Sequence, residues 1–324
     1  MEKKYMVGIR CATYNQSQYI RQTLDGFTCQ RTDFPYIAMV TDDASTDGTP
    51  SVIESYLEEH FDIKDISVSY SRDTEYAHVI YSRHKTNPNC HIVVLLLNEN
   101  HYQKGLHYKK LEYLTEWKQN IRYEAICEGD DYWTDPYKLQ KQVDLMESHP
   151  EFSACCSNIY TLTGDVLKKG EDKSGIIHFK DLMNKNRINT LSSMSRADLT
   201  MEYYKTVYRE MPIFKMGDYP LWLFLAQHGP ICRMKEYMGV YRILENSASH
   251  FQDFMKQYDF MVETARIKLW FNKRYSLHYK PLILIKLASR TRKMCRKAAK
   301  RGEGKYFSLL IKTLKHLHKT GLKR

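Results

Sequence analysis

Short apolar runs alternate with amphipathic segments through the first half of the chain, and most of the runs stop at a polar cluster. The runs are YMVGIRC (5–11), YIAMV (36–40), HIVVLLL (91–97) and YEAIC (123–127), each of strand length. Between them Ile20, Leu24 and Phe27 return at i, i+4 and i+7, the stripe of an amphipathic helix. Further helices are predicted over 50–60 and 106–118, and Asp135 followed by Pro136 opens a helix with Leu139, Val143 and Met146 on its buried side. A short strand is expected at 66–70, an inserted loop at 71–90 and a surface loop at 168–175. Strands that alternate with helices imply an α/β fold: a Rossmann-like, mostly parallel sheet with helices on both faces. Ligands of such sheets bind beyond the carboxyl ends of the strands. TYN (13–15), DDASTD (42–47) and EGDD (128–131) each follow a predicted strand, so they should converge on one crevice.

With 324 residues the chain has room for one large domain or two small ones. Its eight cysteines include no CxxC pair, which argues against a structural zinc site and for a reducing compartment. The first residues, MEKKYMVGIRCATYN, lack the apolar core of a signal peptide, and no apolar stretch nears the roughly 20 residues that span a bilayer. The expectation is a cytoplasmic protein. The net charge of +11 is uneven: residues 273–324 hold 17 Lys and Arg against Glu303 alone, +16, which leaves 11 − 16 = −5 for residues 1–272. A basic tail on a mildly acidic body fits an amphipathic helix on anionic lipid, at the inner face of a membrane, with Leu309, Leu310, Leu314 and Leu317 as its apolar side. It also fits a solvated helical cap. No RNA-binding motif with stacking aromatics accompanies the charge, so nucleic acid is not expected as a partner.

TYNQSQYI, DDASTDGT and CEGDDYWTDPYKLQKQV, in that order and spacing, resemble the GT-A-fold family 2 glycosyltransferases of bacterial polysaccharide biosynthesis. The resemblance spans residues 5–160, continues more weakly through MGDYPLWLFLA and YRILENSASH to residue 250, and leaves the basic tail uncovered. It implies a GT-A domain over 1–250, with a nucleotide-sugar part over 1–135 and an acceptor part over 136–250, then a helical basic extension over 251–324. It further implies an inverting, metal-dependent transfer from a nucleotide-diphosphate sugar, UDP-linked, to a saccharide or lipid-linked saccharide in surface polysaccharide assembly. Asp131 would ligate Mg2+ or Mn2+ at the diphosphate and Asp130 would contact the ribose or the metal's waters. Asp43 would accept the N3–H of uracil, while Thr13, Tyr14 and Asn15 line the nucleoside. Asp218 matches the catalytic base, and Ser247 or His250 would close over the diphosphate or the metal. Lys109 or Lys110 stands where family members carry a phosphate-facing base.

Each assignment has a plainer alternative. Acid clusters are common at helix starts, where Asp130, Asp131 and Asp218 would serve as caps. Ser45, Thr46 and Asp47 are expected to cap helix 50–60, which leaves Asp42 and Asp43 without a structural purpose. Ala44 stands where the family has Gly or Asn, and Thr13 where it has Pro. Sugar-phosphate nucleotidyltransferases share the sheet, but VGIRCATYN offers one glycine and no Gly-rich phosphate loop. A non-catalytic binder of membranes or nucleic acid would rest on the tail alone.

Overall fold

Parallel pairing at the centre of the sheet fixes everything the site needs. The computed structural model describes residues 3–106, 108–211, 216–244, 254–299 and Lys315. Its strands are β1 (Tyr5–Thr13), β2 (Tyr36–Asp42), β3 (Tyr70–Asp73), β4 (Ala77–Arg83), β5 (Cys90–Leu97) and β6 (Ile121–Ile126), then β7 (Tyr132–Trp133), β8 (Ala154–Thr163), β9 (Val166–Lys169), β10 (Gly175–Ile177), β11 (Ser193–Arg196) and β12 (Ile231–Arg242). The longer helices are α1 (Ile20–Thr28), α2 (Thr49–His60) and α5 (Lys138–Ser148), with the short α3 (Lys109–Tyr113) and α4 (Thr115–Lys118) between the last two. Later come α6 (Phe179–Asn184), α7 (Ala197–Lys205), α8 (Val207–Glu210), α9 (Asp218–His228), α10 (Phe254–Arg274) and α11 (Lys280–Ala299).

The strands lie in the order β10-β12-β8-β11-β6-β1-β2-β5-β4-β3, with β7 on β12 and β9 on β8. β6, β1, β2 and β5 are mutually parallel, and antiparallel strands extend the sheet on both sides. A parallel sheet must be covered on both faces. On one face Val7, Ile9 and Cys11 of β1 join Ala38 and Val40 of β2 against Leu24 and Phe27 of α1 and Val143 and Met146 of α5. On the other, Ile37, Met39, Val93, Leu95 and Ile121 pack with Trp117. The stripes expected of both helices are therefore the ones that are buried.

Several details depart from the sequence reading. The helix expected to open on Asp135 and Pro136 starts only at Lys138, with Tyr137 at the cap position and its N–H donating to Asp135 Oδ1 at 2.8 Å. The strand expected at 66–70 begins only at Tyr70, and Ile66 is fully exposed in a turn. The supposed loop at 71–90 contains β4, which pairs antiparallel with β5 and carries β3 as the sheet edge. On such a margin only alternate residues, such as Ala77 and Val79, face the core, so no apolar run marks the strand. Helix 106–118 is broken into α3 and α4 at Leu114, where ψ is 0°.

Lys138, at the start of α5, is completely buried. Its ammonium reaches Gln142 Oε1 at 2.6 Å and lies 4.1 Å from the centre of the Trp133 ring. Burial pulls its pKa down to about 8. This contact seats α5 beneath β7, the strand that follows the acidic turn.

By internal packing the chain falls into two compact units, residues 1–209 with 224–243, and residues 210–223 with 244–324. The first holds the whole sheet. In the second, α10 and α11 pack together, and Ile283, Leu287, Thr291 and Cys295 form the buried stripe of α11. No helix among the described residues is long and apolar enough to cross a membrane.

Candidate active site

The three polar clusters meet because β1, β2 and β6 are adjacent and point the same way. Thr13 pairs with Asp42 at the ends of β1 and β2, and the Asp43 N–H donates to Thr13 O at 3.0 Å. The Gly129 N–H donates to Ala12 O at 3.0 Å, which brings the 128–131 turn to the same strand end. A Cβ on Gly129 would stand 2.5 Å from Gln16 Oε1 and 2.7 Å from Thr13 Cβ, so glycine is required for this approach.

Asp131 is 2% exposed, and its Oδ1 accepts the Arg242 N–H at 2.9 Å. Among the described residues no hydrogen bond reaches its Oδ2. Burial drives the Asp131 carboxyl well above the ordinary range, and Asp130 and Glu128 add to the rise while Arg242 opposes it. Burial also raises Asp130, with Arg242 again pulling it back. The Thr23 hydroxyl, from α1, is placed between Gly129 O at 2.9 Å and Asp131 O at 2.6 Å. The turn thus carries two crowded, desolvated carboxyls on a backbone held from two sides. Hard oxygen donors of this kind suit Mg2+ or Mn2+. Among the described residues no three His, Cys, Asp or Glu side chains gather as a metal site.

Asp43 is 2% exposed, and its carboxylate is engaged within the protein. Oδ1 accepts the His101 N–H at 2.9 Å; Oδ2 accepts the Tyr102 N–H at 3.1 Å and the Lys110 ammonium at 2.8 Å. A carboxylate has about four lone-pair sites, so one remains for a further donor. Lys110 is therefore turned to Asp43, and the segment around 101–102 is tied to the end of β2. Asn15 is also occupied: its N–H donates to Ser45 Oγ and its Oδ1 accepts the Thr46 N–H, both at 2.8 Å. Tyr14, at 39% exposure, is the residue of the TYN cluster that stands open. Asp42, raised by burial, accepts the Ser45 N–H at 2.9 Å. None of the three residues expected to cap α2 holds the cap position, which is Gly48 with φ of +90°; Asp47, one residue earlier, accepts the Thr49 N–H at 3.0 Å. Burial works against Asp47, but the donors of Thr49 and Ser17 hold it down at about 2.

Asp218 is the first residue of α9, where the helix end favours a negative charge. It belongs to the second unit, and the acidic turn to the first. His250 and Ser247 lie outside the described residues, as do Leu309, Leu310, Leu314 and Leu317.

Sequence reasoning passed over Arg242, the last residue of β12, although it stands in the YRILENSASH segment. It is 6% exposed. Its guanidinium donates to Asp130 O and to Gln22 Oε1, and it lies 4.4 Å from the Tyr132 ring centre and 5.0 Å from that of Tyr19. The available signal was an arginine at the end of a mixed apolar strand, a place where a surface charge has no need to be.

The family model for glycosyl transferase family 2 matches residues 11–77. An uncharacterized Mycobacterium tuberculosis protein, Rv1520, is 31% identical over 239 residues, 71% of this chain and 56% of the relative. The chain thus spans little more than half the length of its mycobacterial relatives. TuaG of Bacillus subtilis, assigned by name to glycosyl transfer in teichuronic acid biosynthesis, is 27% identical over 76% of this chain and 82% of its own. Among solved structures, Staphylococcus aureus TarS 1–349 with UDP-GlcNAc aligns with TM-score 0.54 at 14% identity, covering 88% of this chain and 71% of TarS. The mannosyltransferase PcManGT of Pyrobaculum calidifontis, with GDP-Man and Mn2+, aligns with TM-score 0.52 at 14% identity over 98% and 81% of the two chains. These two likenesses establish the fold.

Ala44 has φ of +59°, the left-handed region where a Cβ is crowded. That explains why Gly or Asn is the usual choice there. Ala44→Gly should stabilise the protein by about 0.5–1 kcal/mol, the relief of strain less the added chain entropy. Thermal denaturation measures it, and an unchanged or lower midpoint would mean the position carries no strain.

Proposed function

We propose, because the chain belongs to the family 2 glycosyltransferases of GT-A fold, that it moves a sugar from a nucleotide-diphosphate sugar to a saccharide or lipid-linked saccharide in surface polysaccharide assembly, with a divalent cation and with inversion. The observation that carries this reading is the convergence of Thr13–Asn15, Asp42–Asp43 and Asp130–Asp131 at the ends of three neighbouring parallel strands. The open Tyr14 ring supports a nucleoside contact, and the remaining lone pair of Asp43 suits an N–H of the base, uracil in a UDP donor. Asp130 lies beside Asp131, within reach of a ribose or of the metal's waters. Asp131 Oδ2 is the free oxygen for Mg2+ or Mn2+, and His250 remains a second candidate ligand. The cation, when bound, offsets the charge that builds on the leaving diphosphate. Asp218 is the candidate base that takes the acceptor proton during attack.

The second unit supports a peripheral, cytoplasmic-face location through residues 273–324. α11 carries seven Lys and Arg and no acid. Its outward arc holds Leu282 (46% exposed) and Ile285 (66% exposed) toward one end and Arg292, Lys293 and Arg296 toward the other. Exposed apolar side chains and exposed cations on one helix match an anionic lipid surface.

Three outcomes are expected. Asp131→Asn should lose most Mn2+-dependent UDP binding in calorimetry and most donor turnover while remaining folded by circular dichroism, and chelator should do the same to the wild type; full activity of the mutant would remove the core of the proposal. The Asp218→Asn variant should keep donor and cation binding yet lose transfer by at least about a hundredfold. Asn caps a helix nearly as well as Asp, so a pure cap would leave both stability and rate nearly unchanged. NMR of the product should show the inverted anomer; retention would rule Asp218 out as the base. Sedimentation with phosphatidylglycerol vesicles should capture the protein in a salt-sensitive manner, and Leu282→Ser with Ile285→Ser should weaken capture. Equal capture by neutral vesicles, or none by anionic ones, would return α11 to a solvated cap.

A further inference from the structure

The arginine beside the acidic turn makes no ion pair with either carboxylate. Among the described residues, the Arg242 guanidinium is engaged elsewhere: one arm on the Asp130 carbonyl, the other on the Gln22 side-chain amide, and its faces against Tyr19 and Tyr132. Its own N–H, rather than its charge, is what touches Asp131, at 2.9 Å to Oδ1. A buried guanidinium within reach of two acids would gain most from a bidentate pairing with one of them. Here the fork is turned to neutral groups, and among the described residues no hydrogen bond reaches Asp131 Oδ2. The four groups it joins come from two places: α1 and its cap supply Gln22 and Tyr19, and the 130–132 segment supplies a carbonyl and a ring, while the arginine itself ends β12.

We propose that Arg242 is a positioning residue, a planar brace that fixes the Asp130–Asp131 turn between α1 and β12 so that Asp131 Oδ2 is presented to a divalent cation. This rests on the metal-dependent reading of the site given above. A brace and a counter-charge make opposite demands. If Arg242 acted by charge, its removal would leave the acids more negative and tighten a cation, and lysine would substitute for it. If it acts as a brace, removal frees the turn and loosens the cation. Lysine then fails as well, because one ammonium cannot span two divergent acceptors while stacked between two rings. Gln22 completes the brace, and losing its acceptor should reproduce part of the defect without touching the charge.

The test is Mn2+ binding in the presence of UDP, followed by the electron paramagnetic resonance of free Mn2+, with circular dichroism and melting as controls for folding. Arg242→Met and Arg242→Lys should each weaken Mn2+ about tenfold or more, a change of roughly 1.4 kcal/mol per factor of ten. Gln22→Met should weaken it by a smaller factor in the same direction. Added Mn2+ in excess should restore much of the donor turnover of Gln22→Met, since the defect lies in gathering the cation. Tighter Mn2+ binding by Arg242→Met, or wild-type affinity in Arg242→Lys, would overturn the brace while leaving the proposed function standing. If Arg242→Met does not fold, Gln22→Met and Arg242→Lys decide the matter by the same criteria. A wild-type chain that gathers no Mn2+ with UDP would overturn both the metal-dependent function and this inference.

Discussion

Burying two carboxyls side by side is costly, and the organisation of the first unit follows from how that cost is met. Asp131 at 2% exposure loses nearly all its hydration, and Asp130 and Glu128 stand close enough to repel it. Uncompensated, a buried charge is among the most expensive features a fold can hold. The compensation present is modest: one backbone N–H and the field of Arg242, which donates to neutral groups. The acids are held in place by the backbone around them, through Thr23, Gly129 and Ala12, rather than by partners for their charge.

Parallel strands make such a turn possible. Because β6, β1 and β2 run together, their carboxyl ends bring three loops to one place, and each loop braces another. Asn15 ties the loop after β1 to the one after β2, Asp43 ties the latter to residues 101–102, and the Gly129 N–H ties the 128–131 turn back to β1. Several residues singled out for ligand contact therefore also hold loops together. The two roles are compatible, since a ligand contact is useful only where the loop presenting it is fixed.

How much of this could be read beforehand depended on the kind of signal each element leaves. The parallel centre was legible because strands buried on both faces are continuous apolar runs, as in HIVVLLL. The β3–β4 hairpin was not, because an edge pair half in water leaves only alternate apolar residues such as Ala77 and Val79. The acidic turn was found by its composition, yet Arg242 was missed because its partners, Gln22 and Asp130, lie 220 and 112 positions away. Ala44 was noticed as a departure from pattern, but only the positive φ shows what the pattern is for.

The place of Arg242 in the chain gives the brace a further consequence. It is the last residue of β12, and the longer segment of the second unit begins two residues later, at Leu244. The same backbone that leaves the sheet for the second unit therefore first passes through a residue anchored on both the acidic turn and α1. A strand end is ordinarily where pairing frays and local stability is lowest. Here the Arg242 N–H is bonded to Asp131, and the Ile243 N–H to Leu162 O at 2.8 Å, so the final step of the strand is pinned from two sides. The acid proposed to face the cation is thus joined to the end of β12 by a single backbone hydrogen bond and by a guanidinium whose arms are already engaged.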